Sequence, residues 1–431
     1  MKTIKDAFAK FFGMESASSI VLILCALFAI VIANTSLGPY YFRFLETKIS
    51  LSAGSFVLEK SILHWVNDGL MSIFFFVIGL EIKRELLAGE LRSWKKSALP
   101  IFAAVGGMVV PVALFFSLGG SEKMLEGWGI PMATDIAFSL GILTLLGKRV
   151  PLSLKIFLTA FAIIDDLGAV IVIAVFYSKE IFWNYIFIAL AIYAILLALT
   201  FTRINARYLY MIAGAVIWYL FLKSGIHPTI AGVMVAFVIP VKRRLGKLTF
   251  TEEMRKVIKD FEQTERPGMF LNNHQLAAID RAECLVDRLQ PFLQHLENRL
   301  HAWVAYFIMP VFALANAGVQ IFASNSSNSE PVALHVGLSL LLGKIVGISI
   351  FSYLSIKLGL ASLPEKTKFI HIIGVSFLGA IGFTMALFIN SLAYSDPGYA
   401  NSAKLGIIIA SVVAGVAGYF ILKYTLKGAN N

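Results

Sequence analysis

Residues 156–177 form a 22-residue stretch whose only charges are two adjacent aspartates, Asp165 and Asp166. An apolar run of about 20 residues is what a helix needs to cross the hydrocarbon of a bilayer. At the bilayer centre each carboxylate costs roughly 2.5–3.5 kcal/mol on the insertion scale. The Leu, Ile, Val and Phe side chains of the stretch return about 0.3–0.6 kcal/mol apiece, so insertion comes out near break-even. A span that gives up this much to hold two acids at mid-depth points to a functional reason for them.

The rest of the chain has the same character. Of 431 residues 58% are hydrophobic, too many to hide inside a water-soluble globule. The runs are too long and too continuous for the short alternating strands of a transmembrane barrel. The expected fold is therefore an all-α polytopic membrane protein with about twelve spans, at 19–33, 64–82, 99–118, 129–146, 152–177, 181–201, 208–222, 226–241, 302–321, 333–356, 369–392 and 405–422. The formal charge of +11 follows from topology and needs no nucleic-acid partner. With the N-terminus inside, 28 Lys and Arg fall on the inner side and 7 on the outer, which the positive-inside rule reads as two cytoplasmic termini.

The first apolar run is read as an uncleaved span rather than a signal peptide, preceded by a short interfacial helix around Phe8, Phe11 and Phe12. Cys25 in an apolar helix and Cys284 in a polar loop make no disulfide framework. Organisation is expected as spans one to eight in 1–242, a long cytoplasmic helical loop at 243–300, and spans nine to twelve in 301–431. In the loop Thr249 and Glu252 have capping-box spacing. Periodic apolar positions follow on either side of Pro267-Gly268, as in a helical hairpin. The outer stretch 34–61 is the candidate surface for a homodimer.

Two spans look broken at comparable places. The fourth carries Pro131 in Gly-Ile-Pro-Met-Ala-Thr-Asp, ending at Thr134 and Asp135, where proline removes a donor and disfavours helix before it. The eleventh carries Gly379 and Gly382, which lower the cost of unwinding. Interrupted segments at matching positions in two halves mark an inverted-repeat transporter, here pairing spans three to five with ten to twelve. Ordinary kinks and close packing are the plain alternative.

Asp135, Asp165, Asp166 and Lys344 lie at similar depth. Successive helical residues point about 100° apart, so one aspartate of the pair can face a water-filled cavity while the other turns to a partner helix. Two partly desolvated carboxylates this close do not both ionise easily. A small hard cation binds carboxylate, hydroxyl and carbonyl oxygens, with Thr134 a further candidate ligand. Protons and cation then compete for the same oxygens, which is proton-coupled exchange. A structural ion pair between Lys344 and one aspartate is the alternative, set against by the excess of acids over bases. Glu81, Lys83, Arg84 and Glu85 end the second span and read either as a solvated helix end or as the charged mouth of a cation funnel. His227 stands at an outer turn, with Asp68 near the same edge.

These motifs together resemble the NhaA family of bacterial sodium/proton antiporters. The likeness is carried by GLEIKREL at 79–86, PMATDIAFSLG at 131–141, AIIDDLG at 162–168, SGIHPTIAGV at 224–233, GKIVGIS at 343–349 and GAIGFTM at 379–385. The resemblance implies a bacterial inner-membrane exporter of Na+ or Li+ against H+, electrogenic, regulated by pH, and working by alternating access around two broken, crossing helices. It implies Asp166 as principal cation ligand with Asp165 as its partner, Lys344 as the charge paired with Asp165, and Asp135 with Thr134 at the crossing. It adds Glu297 and His301 to Glu81, Lys83, Arg84 and Glu85 as the pH-responsive funnel. The loop before the ninth span is longer than in the best-known members. Asn298 and Arg299 depart from the familiar pattern.

No nucleotide-binding loop or metal-cluster spacing appears, so neither an enzyme nor a cofactor is expected. An intramembrane aspartyl protease also needs two acids in lipid, but on facing helices. A transporter on a related fold without proton coupling is the other alternative.

Overall fold

The apolar runs fold as helices because a backbone in hydrocarbon must satisfy its own hydrogen bonds. A computed structural model describes residues 17–53, 56–178, 180–201, 207–241, 247–262, 271–321 and 331–426. The expected interfacial helix around Phe8, Phe11 and Phe12 and the Pro267-Gly268 break lie outside them.

In chain order come α1 (Ala17–Ala33), α2 (Gly38–Glu46), β1 (Lys48–Ala53), β2 (Phe56–Ser61), α3 (Ile62–Ala88) and α4 (Trp94–Ser117). Then follow α5 (Glu122–Met132, largely 3-10), α6 (Ile136–Leu145), α7 (Leu152–Phe176), α8 (Trp183–Phe201), α9 (Arg207–Ser224) and α10 (Thr229–Val238). The chain continues through α11 (Lys247–Glu262), α12 (Asn273–Leu289), α13 (Phe292–Trp303) and α14 (Met309–Asn316). It ends with α15 (Val332–Lys357), α16 (Phe369–Gly379), α17 (Phe383–Ala393) and α18 (Pro397–Thr425).

Among the described residues six helices are long and apolar enough to cross a membrane: α3, α4, α7, α8, α15 and α18. The number rises to 9 if the bent pairs α1–α2, α5–α6 and α16–α17 each count as one span. Of the expected twelve, the seventh and eighth are the shorter helices α9 and α10. The ninth is divided between charged α13, a π turn at Val304–Ile308 and α14.

The all-α expectation fails in the stretch after α2. There β1 and β2 pair antiparallel, with Lys48 opposite Ser61 and Leu51 opposite Leu58. Ile49, Leu51 and Ala53 alternate with Lys48, Ser50 and Ser52, a period of two that suits a strand and not a helix. The expected capping box is also displaced. Thr249 lies inside α11, which already runs from Lys247, and the capping box forms instead between Asn272 and Gln275 at the start of α12. Pro291 then divides the second periodic run into α12 and α13. Helices α11 and α12 pack on each other through Val257, Ala278 and Leu285.

One large core joins α3, α4, α7, α14 and α15–α18. A second gathers α8–α10 against the Phe76 and Leu80 side of α3 and the Phe292 and Leu293 start of α13. Helices α4 and α15 cross at Gly106 and Gly347, where a Cβ on Gly347 would stand 2.1 Å from the Gly106 carbonyl oxygen. Backbones in direct contact are how helices associate where lipid is as apolar as leucine. The contact fixes the register of Lys344, one turn before Gly347, against the rest of the molecule.

Candidate ion-binding site

The two broken segments, α5–α6 and α16–α17, are each bent by 43°, and they are tied to one another where they break. At its start α6 leaves backbone N–H groups without intrahelical partners, and so does α17. Asp135 serves both. Its Oδ1 accepts from the Phe138 N–H at 3.0 Å, capping α6. Its Oδ2 accepts from the Thr384 N–H at 2.9 Å and from the Thr384 hydroxyl, at the second residue of α17. A carboxylate at two helix N-termini offsets two partial positive charges.

The carbonyl end of α16 and the turn after it are met by the opposite kind of group. The Thr134 hydroxyl donates to the Gly379 carbonyl at 2.7 Å, the Ser139 hydroxyl to Leu378 at 2.6 Å, and the Asp135 N–H to Ile381 at 2.6 Å. Glycine serves close approach here. A Cβ on Gly382 would stand 3.0 Å from the Ala133 carbonyl oxygen, and one on Gly379 would press on Phe161 and Ile348. Pro131 sits inside the 3-10 segment, and the break itself opens after it at Ala133, whose ψ is 146°.

Asp165 and Asp166 follow each other on α7 and meet different surroundings. Lys344 Nζ donates to both oxygens of Asp165, at 2.8 and 2.7 Å, and to the Thr134 hydroxyl at 2.9 Å. Neither side chain of the Lys344–Asp165 pair has exposed surface. The Phe161 ring lies 5.8 Å from the ammonium. Both oxygens of Asp166, by contrast, are buried with no hydrogen-bond partner. Asp166 borders a cavity of about 880 Å3 whose wall also includes Asp135 and Thr384.

The same cavity is bordered toward its mouth by Glu81, Glu85, Glu90, Lys96 and His301. His301 Nδ1 lies 3.8 Å from a Glu81 carboxylate oxygen, and that neighbouring carboxylate raises the imidazole above its ordinary pKa. Glu85 accepts from the Glu90 N–H at 3.1 Å. Arg84 joins Glu297 at 2.5 Å and Glu85 at 3.0 Å. Burial pushes the Glu297 carboxyl up, with Arg84 opposing.

The structure thus gathers Asp135, Asp166 and Thr384 on the cavity and holds Asp165 and Lys344 behind it. Thr134 is engaged between Lys344 and Gly379 rather than open to the cavity. Lys83 stands apart from the funnel: its ammonium meets the Phe237 and Ile239 carbonyls at 2.5 and 2.6 Å, closing the end of α10. Among the described residues no three His, Cys, Asp or Glu side chains converge as a metal-holding group. Sequence reasoning passed over Thr384 and Ser139. The signal was there for Thr384, a hydroxyl residue two places after the glycine that opens a half-helix.

Residues 9–422 match the family model described as Na+/H+ antiporter 1. The chain is 45% identical to the Na(+)/H(+) antiporter NhaA of Oleidesulfovibrio alaskensis, over 98% of this chain and 94% of that one. It is 45% identical to Na(+)/H(+) antiporter NhaA 1 of Saccharophagus degradans, over 97% and 91%. To the Na(+)/H(+) antiporter NhaA of Bacteroides fragilis it is 44% identical, over 99% and 98%.

Proposed function

This chain belongs to the Na+/H+ antiporter 1 family, and from that premise we propose that it exports Na+, or Li+, in electrogenic exchange for H+, with Asp166 as the carboxylate for which ion and proton compete. It is a multi-pass membrane protein of the bacterial membrane. The observation that carries the reading is the Asp166 carboxylate, buried at the inner end of the cavity with neither oxygen hydrogen-bonded. A buried carboxylate without partners is costly as an anion. It is relieved either by a proton or by a small cation.

The proton count follows from the charges. In the proton-loaded state Asp166 carries a proton and Lys344 is the cationic partner of Asp165. An ion drawing on both carboxylates takes Asp165 from Lys344. The ammonium, buried and deprived of its counter-charge, then gives up its own proton. Two protons leave as one cation binds, and the reverse step reloads them. Each cycle therefore moves net charge.

The matched 43° bends of α5–α6 and α16–α17, each flanked by uninterrupted helices, support two inverted units of spans three to five and ten to twelve within twelve crossings. On this reading 1–242 and 301–431 form one membrane body, interrupted by the cytoplasmic loop 243–300. The lysine and arginine bias supports cytoplasmic termini. The exposed Ile49, Leu51 and Val57 of the hairpin support a homodimer. Glu81, Glu85, Glu297 and His301, sharing charges around the cavity mouth, support pH regulation there. An aspartyl protease is disfavoured because its two acids stand on facing helices, whereas Asp165 and Asp166 are adjacent on α7 and Asp165 is paired with Lys344.

The test is sodium-driven proton movement in proteoliposomes. Asp166→Asn is expected to abolish it. Exchange at the parent's rate would overturn the assignment, and flux indifferent to a pH gradient would point to a transporter without proton coupling.

A further inference from the structure

Three helices place their side chains in the same order along the axis leading away from the cavity mouth. On α14, Met309 borders the cavity, Phe312 follows, and Asn316 comes one turn further; both are buried. On α17, Thr384 and Met385 border the cavity, Phe388 follows, and Ser391 comes one turn further. On α3, which runs the opposite way, Phe74 borders the cavity, Phe75 packs beside it, and buried Asn67 lies two turns earlier.

The phenylalanines meet. The Phe388 ring centroid is 5.5 Å from that of Phe75 and 6.1 Å from that of Phe312. The polar side chains meet beyond them. Asn316 Nδ2 donates to Asn67 Oδ1 at 2.8 Å, and Asn67 Nδ2 donates to Asn316 Oδ1 at 3.3 Å and to Ser391 Oγ at 3.4 Å. At 1.5 Å per residue, the aromatic layer lies roughly 6 Å past Thr384 and the amide layer about 10 Å past it.

We propose that ions leave and enter the site on the far side through this amide layer. Asn67, Asn316 and Ser391 form a relay site of neutral oxygens for a partly dehydrated alkali cation. Phe388 is the barrier that seals it while the mouth is open. The proposal rests on the exchange reading above, which requires a second exit.

The chemistry fits transit rather than storage. Buried amides from separate spans are costly unless paired, and here they pair with one another at distances up to 3.4 Å, which water or an ion can replace. Amide and hydroxyl oxygens suit a hard cation. Lacking charge, they hold it weakly enough to release it, while an apolar constriction blocks flow by staying dry. Asn67 stands in a π turn, Trp65–Leu70, the kind of local underwinding that re-aims side chains at functional positions. Phe388 is on the half-helix whose N-terminus Asp135 holds. A change of charge at the site is therefore felt by the barrier through one rigid turn.

The experiment uses full-length protein with Cys25→Ser, Cys284→Ser and Ser391→Cys in vesicles, exposed on either face to a membrane-impermeant thiol reagent. Labelling is expected from the face opposite the cavity mouth alone. Adding Phe388→Ala is expected to speed labelling from the mouth face at least about tenfold, one decade of rate, and to open a proton leak that needs no sodium. Phe388→Leu, closer in volume, provides the same comparison if the alanine variant does not fold. With Phe388 in place, labelling from the mouth face, from both faces or from neither would overturn the proposal, as would an unchanged mouth-face rate in the Phe388 variants. Labelling is read without any exchange assay, so a parent that moves no protons with sodium would sink the antiport reading separately.

Discussion

Lys344 grips Asp165 through both carboxylate oxygens, at 2.7 and 2.8 Å, with no exposed surface on either side chain. The side chain of the residue after Asp165, Asp166, has no hydrogen-bond partner on either oxygen. One step of about 100° along α7 separates an ion pair from an unpartnered carboxylate. The two adjacent buried acids thus meet opposite surroundings: one is neutralised by the protein, and the other is left without a partner.

Lys344→Gln strips Asp165 of its counter-charge, and an uncompensated buried carboxylate costs roughly 3–5 kcal/mol. The melting temperature in detergent is expected to fall. The double variant Asp165→Asn with Lys344→Gln, which buries no charge at either position, is expected to regain most of that loss. The single variant is also expected to shift the pH dependence of exchange or its charge stoichiometry; no change in either would leave Lys344 a structural residue.

Asp166→Asn acts in the other direction on stability. It replaces a buried carboxylate that has no partner with a neutral amide of nearly the same shape. Its melting temperature is expected to equal or exceed the parent's while exchange is lost. A clear drop in melting temperature would show that Asp166 is held by contacts that the structure does not display.

Thr384→Val keeps the shape of the side chain and removes the hydroxyl that reaches Asp135. A single hydrogen bond to a charged group is worth about 1.5–3 kcal/mol. Asp135→Ala removes the caps of α6 and α17 together and is expected to cost more than Thr384→Val. Thermal unfolding of the two variants side by side measures the difference.

Gly347→Ala puts a Cβ where the Gly106 carbonyl oxygen already lies 2.1 Å away. Two helix backbones have to separate, and rigid groups on both sides leave nothing to yield. Overpacking of this kind costs typically 1–3 kcal/mol. Displacing α15 also moves Lys344, so both melting temperature and exchange rate are expected to fall. Gly359→Ala, at the exposed end of the same helix where no atom lies within 4 Å, is the control for packing, though its φ of 71° adds backbone strain.

The His301–Glu81 contact makes a pH prediction. Because the Glu81 carboxylate raises the imidazole above its unfolded-state pKa, the contact stabilises the fold fully on the acid side of that unfolded value. The contribution fades as pH rises through the higher folded value. The parent is therefore expected to lose stability relative to Glu81→Gln as pH climbs past neutrality. The effect is small, since the imidazole is 68% exposed and solvent screens it. Melting temperatures of both proteins across pH 5–9 measure it; a difference independent of pH would rule the pair out as a titrating contact.

Sequence alone determined that the chain is a helical membrane protein and that Asp135, Asp165, Asp166 and Lys344 are its chemically charged interior. Those conclusions rest on run length, hydropathy and the cost of charge in lipid, which are properties of each segment by itself. It also marked both breaks from proline and glycine. Tertiary structure decided which aspartate faces the cavity, that Lys83 closes the end of α10 instead of joining the funnel, and that Thr384 completes the cap on Asp135. It also decided that a β-hairpin follows α2. Each of these depends on which side of a helix or strand meets which neighbour, and one residue of rotation reverses the answer. A linear pattern records the period of a helix but not the partner waiting on each face.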